Sequence, residues 1–346
     1  MSLRVAFIGF HHGHILSLYR LLADRKDIEI VAACEEDPGT RASLAEAGVT
    51  VTHDSYARML SEVECDMGGG CNPAVVACGD WFGIRGERII QALERGCHVI
   101  GDKPLCTSLA ELQAIEALAK EKNRRVGCML DLCDLGPYIK LREMIRGNRV
   151  GEVHTITFLG QHPLLHGKRP PWYFQPGKHG GTINDIAVHG IDSIPWLTGR
   201  RLVEVTAARG WCAGLPQHPN FQNGAVLMLR MDNGGAVLGD VSYLSSDRHG
   251  YQMAPYWRYT IAGSEGVIET HCGAPCVTLW RHDTEAVIEE PVAPNRTGGY
   301  FEDFVRDISG GPNPEGLHTR RVIESSRMAL QAQQAANSGK FPCALG

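Results

Sequence analysis

"VAFIGFHHGHI", residues 5–15, is an apolar run that stops at a glycine, passes three histidines and enters a helical pattern at once. Strand, tight glycine turn and helix in that order open a dinucleotide-binding domain, whose fingerprint is G-x-G-x-x-G. Only Gly9 is in register; His11 and His14 stand at the second and third glycine positions, and Gly13 falls one place early. Three readings are open: an altered nucleotide loop, a metal site, or an ordinary turn. The helix N-terminus beyond Gly9 attracts anions, and an imidazole N–H can donate to a phosphate oxygen where a Cβ hinders close approach. About twenty residues past such a loop a carboxylate accepts from the ribose hydroxyls and repels a 2′-phosphate. Here the second apolar run ends in "CEED" with Glu35 first, which favours NAD over NADP. His12-Gly-His14 lacks a Cys, Asp or third His at useful spacing, so no metal is expected. The altered nucleotide loop is the best of the three.

Around that loop, short apolar runs alternate with amphipathic segments. Strands are read at 3–8, 28–34, 74–78, 98–101 and 125–130, with helices at 15–22, 40–46, 85–95 and 108–122. Connections this short imply a parallel sheet covered on both faces. "DMGGGCNP" at 66–73 reads as a flexible loop without an assigned role. After about residue 135 the texture changes. A helix at 138–145 precedes alternating strands at 152–161, 202–210, 224–231, 235–244, 256–262 and 266–270. "MDNGG" at 231–235 and "AGSEG" at 262–266 are hairpin-type turns, so antiparallel pairing is expected; a last helix covers roughly 317–338. The fold class is α/β: a Rossmann-type doubly wound domain over 1–130, then an α+β domain over 131–346 with a large, mostly antiparallel open sheet.

Composition narrows the partners. At 43% hydrophobic and 21% charged residues, the 346-residue chain reads as an ordinary globular protein. A net charge of −5 gives no reason to expect nucleic acid, and no stretch is apolar for long enough to span a bilayer. The opening "MSLRVAF" enters a strand pattern directly, so no leader peptide is expected. Twelve scattered cysteines without a C-x-x-C suit free thiols in a reducing cytoplasm.

Two further stretches carry chemistry. "HVIGDKPLC" at 98–106 ends a strand with Asp102-Lys103-Pro104, placing a lysine at the strand end where such sheets bind ligands; Pro104 holds Lys103 away from helical angles. In "GGTINDIAVHGID", 180–192, a helix starting near Asn184 puts Asp185, His189 and Asp192 at i, i+4 and i+7 on one face. Ionisable groups on an otherwise apolar helix are costly to bury without a purpose. The Gly180-Gly181 pair admits a close backbone or cofactor ring. A structural Asp–His network is the plainer alternative. The segment 161–181 offers donors from His162, His166, Lys168, Arg169, Tyr173 and His179, either as a substrate-side loop or as a solvated one.

Together these motifs resemble the Gfo/Idh/MocA oxidoreductases. The resemblance runs along nearly the whole chain: the Gly9 loop, Glu35, Asp102-Lys103-Pro104, "RGNRVGEV" at 146–153, Trp172, and the GGxxxDxxxHxxD pattern. It implies an NAD(P)-dependent dehydrogenase of sugars, polyols or related hydroxy compounds. It further implies a homodimer or homotetramer formed through the C-terminal sheet. By the same resemblance Lys103 contacts the reacting hydroxyl, while Asp185 and His189 orient substrate and exchange its proton. Cofactor contacts are then expected at Gly9, His11, His12, Gly13, His14, Glu35, Gly79, Asp102, Lys103 and Pro104, and substrate contacts at Lys103, Arg169, Tyr173, Asp185 and His189. The chain departs from the family in its missing glycines, in Arg85 within "GDWFGIRGE" where a histidine is common, and in "MLDLCDLGP", which lacks a frequent arginine. Two rivals remain: a glycosidase that uses NAD for transient oxidation, and a non-catalytic sensor of nucleotide or sugar.

Overall fold

The computed structural model describes residues 2–62 and 75–346; the glycine-rich stretch at 66–73 lies outside them. The first elements are β1 (Leu3–Phe10), α1 (Gly13–Ala23), β2 (Ile28–Cys34), α2 (Pro38–Glu46), α3 (Tyr56–Glu62), β3 (Val75–Gly79), α4 (Phe82–Glu94), β4 (His98–Gly101), α5 (Leu109–Glu121) and β5 (Val126–Cys128). They are followed by α6 (Gly136–Arg146), β6 (Val153–Pro163), α7 (Val188–Thr198), β7 (Leu202–Trp211), β8 (Gly224–Met231), β9 (Ala236–Ser245) and β10 (Tyr256–Gly263). The last are β11 (Gly266–His271), β12 (Cys276–Arg281), β13 (Val287–Pro291), α8 (Gly299–Ile308), α9 (Thr319–Ser338) and β14 (Cys343–Ala344). The chain divides into two compact units: Met1–Met129 with Tyr300–Ile323, and Leu130–Gly299 with Glu324–Gly346.

The first unit is a five-stranded parallel sheet in the order β2-β1-β3-β4-β5. From Val5 onward every residue of β1 is buried, as is all of β3, because helices cover both faces. The winding direction reverses between β1 and β3, so the strand ends there frame the crevice where open α/β sheets bind ligands. Local signals fix the helix starts. Ser108 caps α5 in a capping box with Glu111, and Asp37 accepts from Thr40 N–H at the start of α2. Tyr300–Ile323 belongs to this unit, which differs from the expected split at residue 130. Phe301 and Phe304 of α8 join the core of Val5, Phe7, Ile15, Leu18 and Ile100, and a Cβ on Gly127 would stand 2.8 Å from the Phe304 ring. Read locally, nothing in 131–346 marks that return.

The second unit is built on a nine-stranded sheet, β13-β12-β11-β10-β6-β9-β8-β7-β14. Its neighbours pair antiparallel except β6 with β9, which run parallel. Burial alternates along its strands, as a sheet with one covered face requires. On the other face Val226, Leu238, Leu244, Trp280 and Val287 are exposed. Against the core face lies α7, close enough that a Cβ on Gly190 would stand 2.5 Å from Phe158 of β6. The strands β12, β13 and β14 and the helices α3 and α8 are additions to the elements read from sequence.

Candidate active site

In the first unit the site is assembled where β1, β3 and β4 end. Gly9 has φ +68°, and a Cβ there would lie 2.5 Å from the Asp80 backbone, so only glycine fits this turn. Gly79 plays the part usually given to the fingerprint's third glycine. A Cβ on it would stand 2.4 Å from Ile15 Cβ, so α1 packs tightly on β3 and position 14 can carry a side chain. Gly13 has open space around it and is the first residue of α1, with His12 as its N-cap.

Glu35 is buried at the end of β2. Its carboxylate accepts from Phe10 N–H (2.7 Å) and Asp37 N–H (2.9 Å), and His11 Nε2 stands 3.3 Å away. Burial pushes this carboxyl up, but the hydrogen bond and charge of His11 and the two amides outweigh it and leave it below the usual range. Burial likewise pushes His11 down, yet Glu35, Asp80 and Asp37 raise it overall. His11 thus bridges to the acid rather than facing a phosphate alone.

His12 and His14 also turn inward. His12 Nδ1 lies 2.7 Å from Asp102 Oδ2 and His14 Nδ1 3.0 Å from Asp102 Oδ1. Asp102 is fully buried and well below the ordinary carboxylate range, because the two imidazoles outweigh the desolvation that would raise it. Burial, with the positive charges of His14 and Lys103, holds His12 down to about 4 against the pull of Asp102. The expectation that these histidines lack a nearby acid rested on sequence spacing; the acid arrives from the end of another strand.

Asp102 introduces the turn that carries Lys103, itself 4% exposed, and the Lys103–Pro104 peptide is cis. The turn is held by Arg85, wholly buried on α4. Its Nη1 donates to the carbonyls of Asp102 (3.0 Å) and Pro104 (2.7 Å), and Nη2 donates to that of Asp80 (2.7 Å). Phe82 stacks under the guanidinium at 4.8 Å. Sequence reading took Arg85 only for a replaced histidine; its role as clamp needed the fold.

In the second unit the motif helix does not begin at Asn184 as a regular α-helix. Ile183–Ala187 forms a π-helical turn that runs into α7. A π turn is wider than an α turn. Asp192 is bound by Ser325 Oγ (2.8 Å) and lies 3.7 Å from Cys133 Sγ, a structural anchor. Asp185 receives the Tyr243 phenol on Oδ2, and His179 Nε2 is 3.5 Å from the same oxygen. His179 Nδ1 accepts from Gly181 N–H (3.3 Å), which puts its proton on Nε2, 3.0 Å from the Tyr243 oxygen. A buried relay therefore runs from His179 through Tyr243 to Asp185. His189 is buried with its ring edge-on to Trp257, 5.2 Å between centroids.

Trp257 has φ +56° at a register shift of β10, an unusual backbone for a bulky residue. Gly181 (φ +99°) makes room for Gln333. A Cβ there would lie 2.3 Å from that side chain, which accepts from the N–H groups of Ile183 (2.9 Å) and Asn184 (3.3 Å).

The segment 161–181 is mixed. His166 and Lys168 are exposed. Arg169 is stacked 4.6 Å from Tyr173 and 4.9 Å from Tyr243, and it donates to the carbonyls of Leu164 and Pro163. His162 and His179 are buried among aromatic rings. Tyr243 was not anticipated; its position in an alternating strand is that of any core-facing aromatic. Ten cysteines fall in the described residues, six of them buried. Among the described residues no helix is long and apolar enough to cross a membrane.

Comparison with known proteins agrees with this fold. Residues 3–129 match the oxidoreductase family with an NAD-binding Rossmann fold, and residues 138–269 match the Gfo/Idh/MocA C-terminal domain. The chain belongs to the Gfo/Idh/MocA family of NAD-binding oxidoreductases. Among individual proteins it is similar to a myo-inositol dehydrogenase of Streptomyces leeuwenhoekii, 25% identical over 98% of this chain and 99% of that one. A putative oxidoreductase from Erwinia carotovora shares the fold with a TM-score of 0.83 at 24% identity, over 97% of this chain and 99% of that one. An inositol dehydrogenase homologue from Azotobacter vinelandii, complexed with NADH and myo-inositol, does so with a TM-score of 0.80 at 17% identity, over 99% and 98% of the two chains.

The first unit's residues fit the dinucleotide the family implies: a glycine that only glycine can fill, an ionised acid at the end of β2, and a helix N-terminus beyond the turn.

Proposed function

We propose that the chain is an NAD-dependent dehydrogenase acting on a secondary alcohol of a sugar or polyol. The observation that carries this reading is the buried Asp185–His189 pair on one motif, together with Lys103 on a turn clamped by Arg85. NAD would be held by the Gly9 turn, Glu35 and the residues around Asp102, and when bound supplies C4 of its nicotinamide as the hydride acceptor. His189 takes the hydroxyl proton. Asp185, kept in place by Tyr243 and His179, fixes the substrate. Lys103 donates to the oxygen and offsets its developing negative charge. Similarity to an inositol dehydrogenase along nearly the whole chain supports a polyol as substrate. Glu35 supports NAD over NADP.

The test is a panel of polyols and sugars with NAD at alkaline pH, read as net NADH formation. Lys103→Met is expected to lower kcat on the order of a hundredfold or more through lost transition-state stabilisation. Near-normal turnover in that variant removes the role of the lysine. Bond cleavage of a glycoside without net NADH removes the dehydrogenase. We further propose that two copies associate through the sheet face on which Val226, Leu238 and Trp280 are exposed.

A further inference from the structure

The histidines that displace the fingerprint glycines share one acid. We propose that His12, His14 and Asp102 form a binding site for a divalent transition-metal ion of the zinc class, at the same turn to which the proposed function assigns the cofactor. Each residue offers one donor atom, and the three donors lie within 4.8 Å of one another. The carboxylate oxygens stand 2.7 and 3.0 Å from the two Nδ1 atoms. The two imidazoles face different oxygens of the one carboxylate; bonds of about 2.0–2.1 Å to a tetrahedral ion set neighbouring donors roughly 3.3 Å apart, so the cluster must contract by up to about 1.5 Å from its 4.8 Å envelope to become a coordination shell.

On metal entry each imidazole gives up the proton on Nδ1, to its own Nε2 where that is bare or otherwise to solvent, and presents the Nδ1 lone pair. The carboxylate gives one oxygen, and water completes the fourth position. No oxidant or reductant is consumed.

Three features distinguish this cluster from a chance meeting of polar groups. The donors come from two segments, the β1–α1 turn and the end of β4, so the fold alone brings them together. Asp102 is fully buried and oriented by Lys103 N–H, which donates to its Oδ1 at 2.7 Å, as outer partners orient metal-binding carboxylates. The two rings stand nearly perpendicular, 85° apart with centroids at 4.6 Å, so their nitrogens approach one point from different directions. The His14 side chain is 37% exposed and gives the ion a path from solvent, while His12 and Asp102 are covered. Imidazole and carboxylate together suit zinc and cobalt better than calcium or magnesium.

The experiment uses the full chain without any histidine tag, stripped with a chelator and dialysed. Zinc uptake is followed by calorimetry and cobalt uptake by visible absorption, where tetrahedral coordination gives intense bands. One equivalent bound at about micromolar affinity or tighter is expected, with affinity falling about a hundredfold in both His14→Ala and His12→Gln and unchanged in His162→Ala. Circular dichroism verifies that each variant is folded. Failure of the stripped protein to take up either metal below roughly a hundred micromolar, or equal uptake by the wild type and both ligand variants, overturns the site. Neither outcome depends on turnover, so the dehydrogenase reading stands or falls separately.

Discussion

Replacing Arg85 tests the clamp on the lysine turn. The guanidinium makes three hydrogen bonds of 2.7–3.0 Å to the carbonyls of Asp80, Asp102 and Pro104, and it is entirely buried. Hydrogen bonds to a charged group contribute about 1.5–3 kcal/mol each. Against their sum stands the desolvation of the cation, several kcal/mol, increased by an Nε with no hydrogen-bond partner among the described residues. Arg85→Met spares that cost but strands three buried carbonyls at about 1–3 kcal/mol apiece, so a net loss of about 3 kcal/mol is expected.

Arg85→Lys keeps the charge but replaces the fork with a single ammonium that cannot reach all three acceptors. It separates stability from placement. For a catalytic group, the role proposed for Lys103, a displacement near 1 Å is expected to cost about a hundredfold in rate. The assays are urea unfolding by circular dichroism and steady-state turnover on the polyol identified by the panel. Expected are a drop of about 3 kcal/mol for Arg85→Met and a kcat reduced about a hundredfold in Arg85→Lys with its spectrum intact. Wild-type unfolding in the first variant together with wild-type kcat in the second would refute the clamp.

Three other outcomes follow from single features. Tyr243→Phe keeps the ring but removes the donor to Asp185, so kcat is expected to fall about tenfold or more while the fold persists; unchanged kcat and an unchanged pH profile would reduce the relay to packing. His98 is buried beside Arg124 and Arg125 and accepts from Arg125 N–H, and burial, then those charges, push it down to about 4. The folded chain therefore binds fewer protons than the unfolded one. The stability this contributes is complete above pH 6.5 and declines as pH falls toward 4; a loss of about 2 kcal/mol by about pH 5 is expected and is to be absent from His98→Asn in urea titrations at both pH values. Leu238→Glu places a charge on the exposed sheet face; if two copies associate there as proposed, light scattering is expected to show a dimer for the wild type and a monomer for the variant, and equal masses would remove that interface.

The parallel sheet was legible because β1, β2 and β4 are apolar runs that end in Gly9, Glu35 and the Asp102-Lys103 turn, and each of those residues sits at a strand end where topology gives it a use. The strands β7 to β11 were legible for another reason, the period-two pattern of a half-covered sheet. Beyond this reach lay contacts made at long sequence separation. Asp102 joins His12 and His14 across 90 and 88 residues, and Gln333 meets Ile183 across 150. The π turn over Ile183–Ala187 that opens the motif helix is not encoded by the spacing of Asp185, His189 and Asp192. Tyr243 went unnoticed, and Arg85 was read only as a replaced histidine, because a core aromatic and a helix arginine carry no local mark of what they hold.

The place of α8 in the first unit has a consequence for how this protein is made. The sheet that carries the nucleotide turn is translated first, yet Phe301 and Phe304, which complete its core, leave the ribosome only after β6 to β13 have emerged. Domains ordinarily fold in order of synthesis. Here the earlier one waits, its apolar surface beside Gly127 uncovered, until the later one is almost entirely outside the exit tunnel. Chaperone demand should therefore fall on nascent chains of intermediate length, and a stop codon near residue 299 would leave the amino-terminal half short of its own core.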